Sequence, residues 1–296
     1  MFQTIDALWQ STLCDMLIHG SFVESRNGPC LEVLNQQLQL NDIEFSFLTN
    51  TRRALSPHYA CAELLWYLSG TDDITLIKAY APQYVNFAEG DIAFGAYGKR
   101  IENHNGLFEC IRFLKSTPNT RQAVLALWYP QDLAAAIRGD KKDIPCTFSW
   151  HFFIRDRKLY MTNTMRSNDM WLGTPYDIFV NTCIMRLIAD ELGINYGTYT
   201  HQVSSLHLYQ KNILPAIEAI HASSNPMPHT WTRCSNLRRD ITRALEQEEL
   251  ARMQKTSKYH SGTHLLADAA TVCSSKWIPC NVIQSKSLKE AINAHH

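Results

Sequence analysis

The chain has 296 residues, 45% of them apolar and 19% charged, which supplies apolar material for a sizeable core in one or two domains. Lys+Arg and Asp+Glu both count 28, so there is no basic excess with which to grip long nucleic acid, and any bound phosphate is expected to be small and held locally. No apolar run is long enough to span a bilayer, and MFQTIDALWQST lacks a charged signal-peptide start, so a soluble protein of the cytosol is expected.

Residues 4–19 read as an amphipathic opening helix, and SRNGP at 25–29 as a turn-rich loop. LEVLNQQLQL and IEFSFLT, within 31–49, look like two strands with a turn at Asn41-Asp42. A helix over 57–69 starts at Pro57 and stops at Gly70. RQAVLALWY, 121–129, reads as a buried strand, and 146–165 as two strands joined at Arg155-Asp156-Arg157. IFVNTCIMRLIADELG, 178–193, is apolar on most faces and predicts a buried helix. Beyond Pro228 the chain is more polar, with a helical stretch at 238–256. With no internal repeat or low-complexity linker, the expectation is an α+β catalytic domain over 1–228 and a C-terminal region, 229–296, packed on it.

The nine cysteines lie at 14, 30, 61, 110, 146, 183, 234, 273 and 280, without a C-x-x-C pair. Neither a metal site nor a disulfide framework is expected, and a reducing compartment fits best. Cys14, Cys61 and Cys183 fall in apolar helical segments, where cysteine is usually a small core residue.

Three local features could carry chemistry. Pro145-Cys146 opens a strand after a charged loop, although Pro-Cys also occurs at 29–30 and 279–280. Glu63 interrupts the apolar face of AELLWYL, where a carboxylate is either a surface group or a buried one poised for proton transfer. Arg166-Ser167-Asn168-Asp169 gathers a cation, a hydroxyl, an amide and a carboxylate, which is either a site or a solvated loop.

Their order in the chain is more telling. PCTFSWHFFIRDRKLYMTNTMRSNDMWLGTPYDIFVNTCIMRLIADELG, followed by SSLHLYQKN, resembles the thymidylate synthase family, as do AELLWYLSG at 62–70, GAYGKR at 95–100 and NTRQAVLALW at 119–128. The resemblance runs in continuous register from about Arg26 to Pro228. It implies an α+β homodimer built around a twisted mixed sheet flanked by helices, acting on a pyrimidine nucleoside monophosphate with 5,10-methylenetetrahydrofolate as co-substrate. On the same basis Cys146 matches the nucleophile that adds to C6, and Arg166 the cation that favours its thiolate. Arg26, Arg166 and Ser167 match phosphate contacts, and Arg121 one donated across the dimer; the guanidinium fork suits phosphate oxygens. His207 and Tyr209 match residues that bind the sugar hydroxyl, and Asn168 falls among the substrate contacts. Glu63 and Tyr97 match groups that order water and move protons around C5. Asp169 matches the pterin ligand, with Tyr84, Leu172, Gly173 and Tyr176 on the folate side.

Departures from the family pattern narrow the reading. Synthases acting on uracil read LG-x-P-F-N, whereas this chain reads LGTPYD, with Asp177 for the asparagine. An amide donates to O4 and accepts from N3–H of uracil; a carboxylate accepts from both the C4 amino group and a protonated N3 of cytosine. Pro-Cys-Thr, and Met165-Arg166-Ser167-Asn168-Asp169, resemble the deoxycytidylate hydroxymethylases of large bacteriophages, which add water instead of hydride. Tyr84 stands where synthases carry the first tryptophan of I-W-D-E-W-A, and KSLKEAINAHH lacks their apolar closing tail. Gln122 replaces the second arginine of S-R-R, which removes one phosphate contact. The resemblance therefore implies hydroxymethylation of dCMP first, with a reductive methylase, making 5-methyl-dCMP or dTMP, and a CMP hydroxymethylase left open.

Overall fold

Three of the longer helices begin where short polar side chains can replace missing helical acceptors. Thr4 Oγ1 accepts from Ala7 N ahead of the Ile5–His19 helix, and Ser56 Oγ from Tyr59 N ahead of Pro57–Leu68, with Pro57 in the first turn. Asn236 Oδ1 accepts from Arg239 N at the start of Leu237–Arg252. The computed structural model describes residues 1–253, 263–277 and 286–294. Among them it forms one six-stranded mixed sheet flanked by helices, an α+β architecture.

The strands are β1 (Ser21–Ser25), β2 (Gly28–Leu40), β3 (Val124–Ala126), β4 (Thr147–Arg155), β5 (Lys158–Asp169) and β6 (Asn195–Tyr209), in spatial order β1-β2-β6-β5-β4-β3. All neighbours are antiparallel except β5 and β6, which run parallel and are joined by the Thr174–Leu192 helix, as a parallel pair requires. Leu159, Met161, Asn163 and Met165 of β5 turn inward, and the side chains between them are half-buried or exposed, the period-two pattern of a strand with one covered face. The core lies between that inner face and the Ile5–His19, Pro57–Leu68 and Thr174–Leu192 helices, filled by Trp9, Trp66, Phe152, Phe179 and Tyr199.

Two expected strands differ. Residues 43–49 form no strand: Asp42 Oδ1 accepts from Glu44 N and opens a 3-10 turn over Ile43–Phe45. Phe47 and Leu48 then plug the core, and Thr49 binds Asp6 Oδ1 through both its N–H and its hydroxyl. In 121–129 only Val124–Ala126 pairs, at the sheet edge, with Val124 48% exposed, so this is a short edge strand and not a buried one. β5 also runs on to Asp169, so the Arg166–Asp169 cluster ends a strand and is not a solvated loop.

The C-terminal residues lie against the Pro57–Leu68 helix and its neighbours. His58 Nε2 meets Ser275 Oγ at 3.1 Å, Tyr80 donates to Glu248 Oε1 at 2.9 Å, and Leu288 and Ile292 of the Lys286–Ala294 helix are buried. The helix expected over 238–256 spans Leu237–Arg252; residues 254–256, the Pro279–Cys280 pair and the final two histidines lie outside the described residues. No helix among the described residues is long and apolar enough to cross a membrane.

Candidate active site

The segment carrying Cys146 is held from two sides. Tyr97, which starts a short helix, accepts the backbone N–H groups of both Cys146 and Thr147 at 2.9 Å through its hydroxyl oxygen. With both lone pairs engaged, its O–H is the capacity that remains. Arg166, on β5, donates from Nε to Pro145 O at 3.0 Å and from Nη2 to Ile144 O at 2.9 Å, and its guanidinium lies 5.9 Å from the Trp128 ring. Two of its donors thus fix the Cys146 loop, and the rest of the fork faces the cavity described below.

Burial pushes the Cys146 thiol up to about 11; Arg166 pulls the other way, and the carboxylates Asp177 and Asp143 add to the rise. The guanidinium alone therefore does not make a thiolate here, because desolvation and two negative neighbours outweigh it.

Glu63, on the Pro57–Leu68 helix, and Cys146 both lie close enough to Asp177 to feel its charge. Tyr59, one turn earlier, donates to Glu63 Oε1 at 2.8 Å, while Oε2 is buried without a hydrogen-bond partner among the described residues. Burial, reinforced by Asp177, raises the Glu63 carboxyl to about 8 against the partial opposition of Tyr59. Asp177, in the first turn of Thr174–Leu192, is raised to about 6 by burial, offset by Asn168, whose Nδ2 donates to Asp177 Oδ2 at 2.8 Å. Gly173 makes that pair possible, since a Cβ there would stand 2.9 Å from Asn168 Nδ2 and 3.2 Å from Asp177 Oδ2.

Tyr84 lies edge-on against Trp66, with centroids 5.1 Å apart, and its hydroxyl senses Asp143, Glu63, Tyr97 and Asp177. Tyr176 packs edge-on against Tyr59 at 4.7 Å, accepts from Ser56 N at 2.9 Å and sits below Arg53. Asp169 Oδ1 accepts from Trp171 N and Leu172 N and so shapes the turn in which Leu172 is 49% exposed.

At the other end, a cavity of about 350 Å³ is lined by Arg26, Trp128, Arg166, Ser167, His207 and Tyr209 among others. Neighbouring strands bring these residues together: Ser167 and His207 from β5 and β6 meet at 3.3 Å, Tyr209 closes β6, and Arg26 sits in the β1–β2 turn. Arg121 does not join them. It is exposed at the opposite sheet edge, where its carbonyl meets His151 Nε2 at 3.1 Å, and Gln122 follows it with its N–H on Thr120 Oγ1.

Sequence reading missed Tyr59, Trp128 and Asp143. Tyr59 stands four residues before Glu63, a helical spacing that puts both on one face. Trp128 closes the NTRQAVLALW block and Asp143 carries no local signal; the relevance of both comes from loops folded against Arg166. Outside the cleft, Cys234, Asp240 and His264 bring one potential ligand atom each within 4.8 Å of one another. Cys234 Sγ donates to Asp240 Oδ2 at 3.0 Å and Asn236 N reaches the same oxygen at 3.3 Å, which ties down the loop before the Leu237–Arg252 helix.

Comparison with known proteins adds an independent finding. The thymidylate synthase family model matches residues 8–264. The chain is 28% identical to the thymidylate synthase of Bacillus phage phi3T over 195 residues, 62% of this chain and 67% of that one. It is 30% identical to the deoxyuridylate hydroxymethyltransferase of Delftia phage PhiW-14 over 201 residues, 64% of this chain and 56% of that protein. Its match to the deoxyuridylate hydroxymethyltransferase of Bacillus phage SP01 is 31% over 175 residues, 53% of this chain and 44% of the relative. The chain thus spans about half the length of the two hydroxymethyltransferases.

Proposed function

The chain belongs to the thymidylate synthase family of enzymes that transfer one carbon to a pyrimidine nucleotide, and from this we propose that it hydroxymethylates dCMP at C5. The observation that carries the choice is Asp177, a carboxylate held by Asn168 in the cleft of Cys146 and Glu63. An acceptor-only group at the base edge suits the two donors of cytosine once N3 is protonated.

In this reading the phosphate lies in the cavity of Arg26, Arg166 and Ser167, with His207 and Tyr209 at the sugar. Arg121, exposed at the far sheet edge, is given to the neighbouring subunit's phosphate, which makes the working unit a homodimer. The half-exposed outer sheet face, where Phe153 and Tyr160 stack with centroids 5.8 Å apart, is the surface for that pairing. Residues 1–228 are assigned the catalytic part, and the described residues of 229–296 pack on it through contacts with His58 and Tyr80 and the burial of Leu288.

The cleft walls also suit a folate: the aromatic faces of Tyr84 and Tyr176, exposed Leu172 and the Asp169 turn offer apolar stacking surface beside a carboxylate. When bound, 5,10-methylenetetrahydrofolate supplies the carbon at the oxidation level of formaldehyde. Base donors that engage Asp177 neutralise part of the charge that holds the Cys146 thiol protonated, so substrate binding itself favours the thiolate. Cys146 Sγ then adds to C6. After carbon transfer Glu63 would take the C5 proton through water and return it to the departing folate nitrogen as the carbon–nitrogen bond breaks; its raised pKa suits it to exchange protons near neutrality. Glu63 next orders and deprotonates a water that adds to the exocyclic methylene. Loss of Sγ from C6 restores the ring, giving 5-hydroxymethyl-dCMP and tetrahydrofolate without net oxidation.

Hydroxymethylation of dUMP is the second reading, supported by similarity to the deoxyuridylate hydroxymethyltransferases of phages PhiW-14 and SP01. Incubation with dCMP or dUMP and the folate, with products identified by mass, separates the two. A reductive methylase would instead generate dihydrofolate, seen by its absorbance.

A further inference from the structure

Asp177 sits at the end of a buried chain of hydrogen bonds whose direction can be followed residue by residue. The far end is the cross-strand pair of Asn163 on β5 and His201 on β6. His201 Nδ1 lies 2.9 Å from the Tyr199 hydroxyl and 3.2 Å from Asn163 Nδ2. The amide can only donate, so Nδ1 is the acceptor and the single ring proton resides on Nε2. The ring is fully buried and stays neutral, its pKa pushed down to about 3 by desolvation.

Nε2 meets Asn168 Oδ1 at 2.9 Å, and the Thr174 hydroxyl donates to the same oxygen at 2.7 Å. Two donors on one side of the amide define which end is oxygen. Nδ2 must then point the other way, at Asp177 Oδ2, 2.8 Å distant. Asn168, Thr174, His201, Asn163 and Tyr199 are all buried, so water is a poor substitute for any partner that is lost.

We propose that His201, with Thr174, is a positioning residue for base choice: it orients the Asn168 amide so that Asp177 is held as an acceptor-only carboxylate facing the pyrimidine edge. Asn168 is thereby the clamp on Asp177, not a ligand of the base. Were the amide to turn over, its oxygen would oppose Asp177 Oδ2, and that pair would be tolerated only with a proton on Asp177. That proton is spent on the amide oxygen, so Asp177 would meet the base as a neutral carboxyl, without the charge that favours a protonated cytosine N3. The buried histidine, 33 residues from Asn168 in the chain, therefore decides whether the base meets a charged carboxylate.

This rests on Asp177 reading the base, and the test separates the two ideas. The ratio of kcat/KM for dCMP to that for dUMP is measured in the wild type, His201→Phe, His201→Gln and Thr174→Val, with folding checked by circular dichroism and nucleotide Kd by calorimetry. His201→Phe keeps a planar ring and loses the donor; the ratio should fall about tenfold through kcat for dCMP, with Kd for dCMP within roughly threefold of wild type. His201→Gln retains an N–H that can reach Asn168 Oδ1 and should recover most of the ratio. Thr174→Val should lower it by a smaller factor, and it carries the test alone if His201→Phe does not fold. Equal losses with both nucleotides, or an unchanged ratio in a folded variant lacking the donor, would overturn the inference. A wild type that prefers dUMP would instead overturn the cytosine reading, and the role of His201 would still be judged by whether its removal moves the ratio.

Discussion

In the proposed reading, the two ends of the site would recognise a nucleotide by opposite physical means. The phosphate end is open and cationic: Arg26 is exposed, Arg166 half-buried, and Ser167, His207 and Tyr209 add further polar side chains around a cavity of about 350 Å³. The base end is closed and acidic, with Glu63 raised to about 8, Asp177 to about 6 and a hydrogen-bond chain behind them. Long-range charge can attract a phosphate from water but does not distinguish cytosine from uracil. Discrimination needs fixed donors and acceptors in a dry place, where an unmatched group cannot turn to solvent. Removing groups from the base end should therefore change chemistry and selectivity, and removing them from the phosphate end should change affinity.

The greatest loss is expected at the group between the two ends. Cys146→Ser should reduce turnover by about 10⁴-fold or more while dCMP still binds, as measured by calorimetry. Mixing this variant with inactive Arg121→Ala should restore part of the activity through heterodimers with one intact site. No recovery, once subunit exchange is demonstrated, would contradict the shared-site dimer.

Glu63→Gln comes next, with kcat reduced by roughly 10²–10⁴-fold. This variant also tests burial directly. Because the folded-state pKa, about 8, lies above the ordinary glutamate value of 4.5, the folded protein holds a proton that the unfolded chain has lost between those values. Stability conferred by the wild-type side chain is therefore fully present below pH 4.5 and is lost as pH rises through 8. Glutamine has no charge to desolvate. Its Tm should match wild type near pH 5 and exceed it by a few degrees near pH 9, at about 2–4 °C per kcal/mol for a chain of this size. An advantage that does not grow with pH would mean that Glu63 ionises normally.

Asp177→Asn should shift the dCMP/dUMP ratio of kcat/KM toward dUMP by roughly ten- to a hundredfold, mainly through loss of dCMP turnover. It should not yield a thymidylate synthase, because Tyr84, where synthases carry a tryptophan, is unchanged. Arg26→Ala, the mildest change, should raise KM for both nucleotides by about fivefold, with kcat retained and a shallower dependence on salt. A change in base preference in this variant would break the division of labour between the two ends.

The phosphate end was legible in the sequence because its groups are charged and most fall inside short blocks: Arg166-Ser167 in one, His207 and Tyr209 in another. Asp177 was legible as a single departure within LGTPYD. Its supporting chain was not, since His201 meets Asn168 from a separate strand, 33 residues away. That strand itself was hard to read, because Thr, His, Gln and Ser alternate through Asn195–Tyr209 where apolar periodicity would normally mark a strand. The opposite error arose at 43–49, where apolar alternation suggested pairing but Asp42 turned the backbone and sent Phe47 and Leu48 into the core. The raised pKa values at Glu63 and Asp177 were likewise hidden, because desolvation depends on neighbours that only the fold assembles.

The central claim is that an acceptor-only base site and a water-ordering glutamate make 5-hydroxymethyl-dCMP. Mass spectrometry of the product formed from dCMP and 5,10-methylenetetrahydrofolate in heavy-oxygen water tests it most directly. The account predicts dCMP gaining one CH2O unit whose oxygen comes from the solvent, with no dihydrofolate formed and a slower reaction with dUMP. A methylated product accompanied by dihydrofolate, or a wild-type enzyme that turns over dUMP in preference to dCMP, would contradict it.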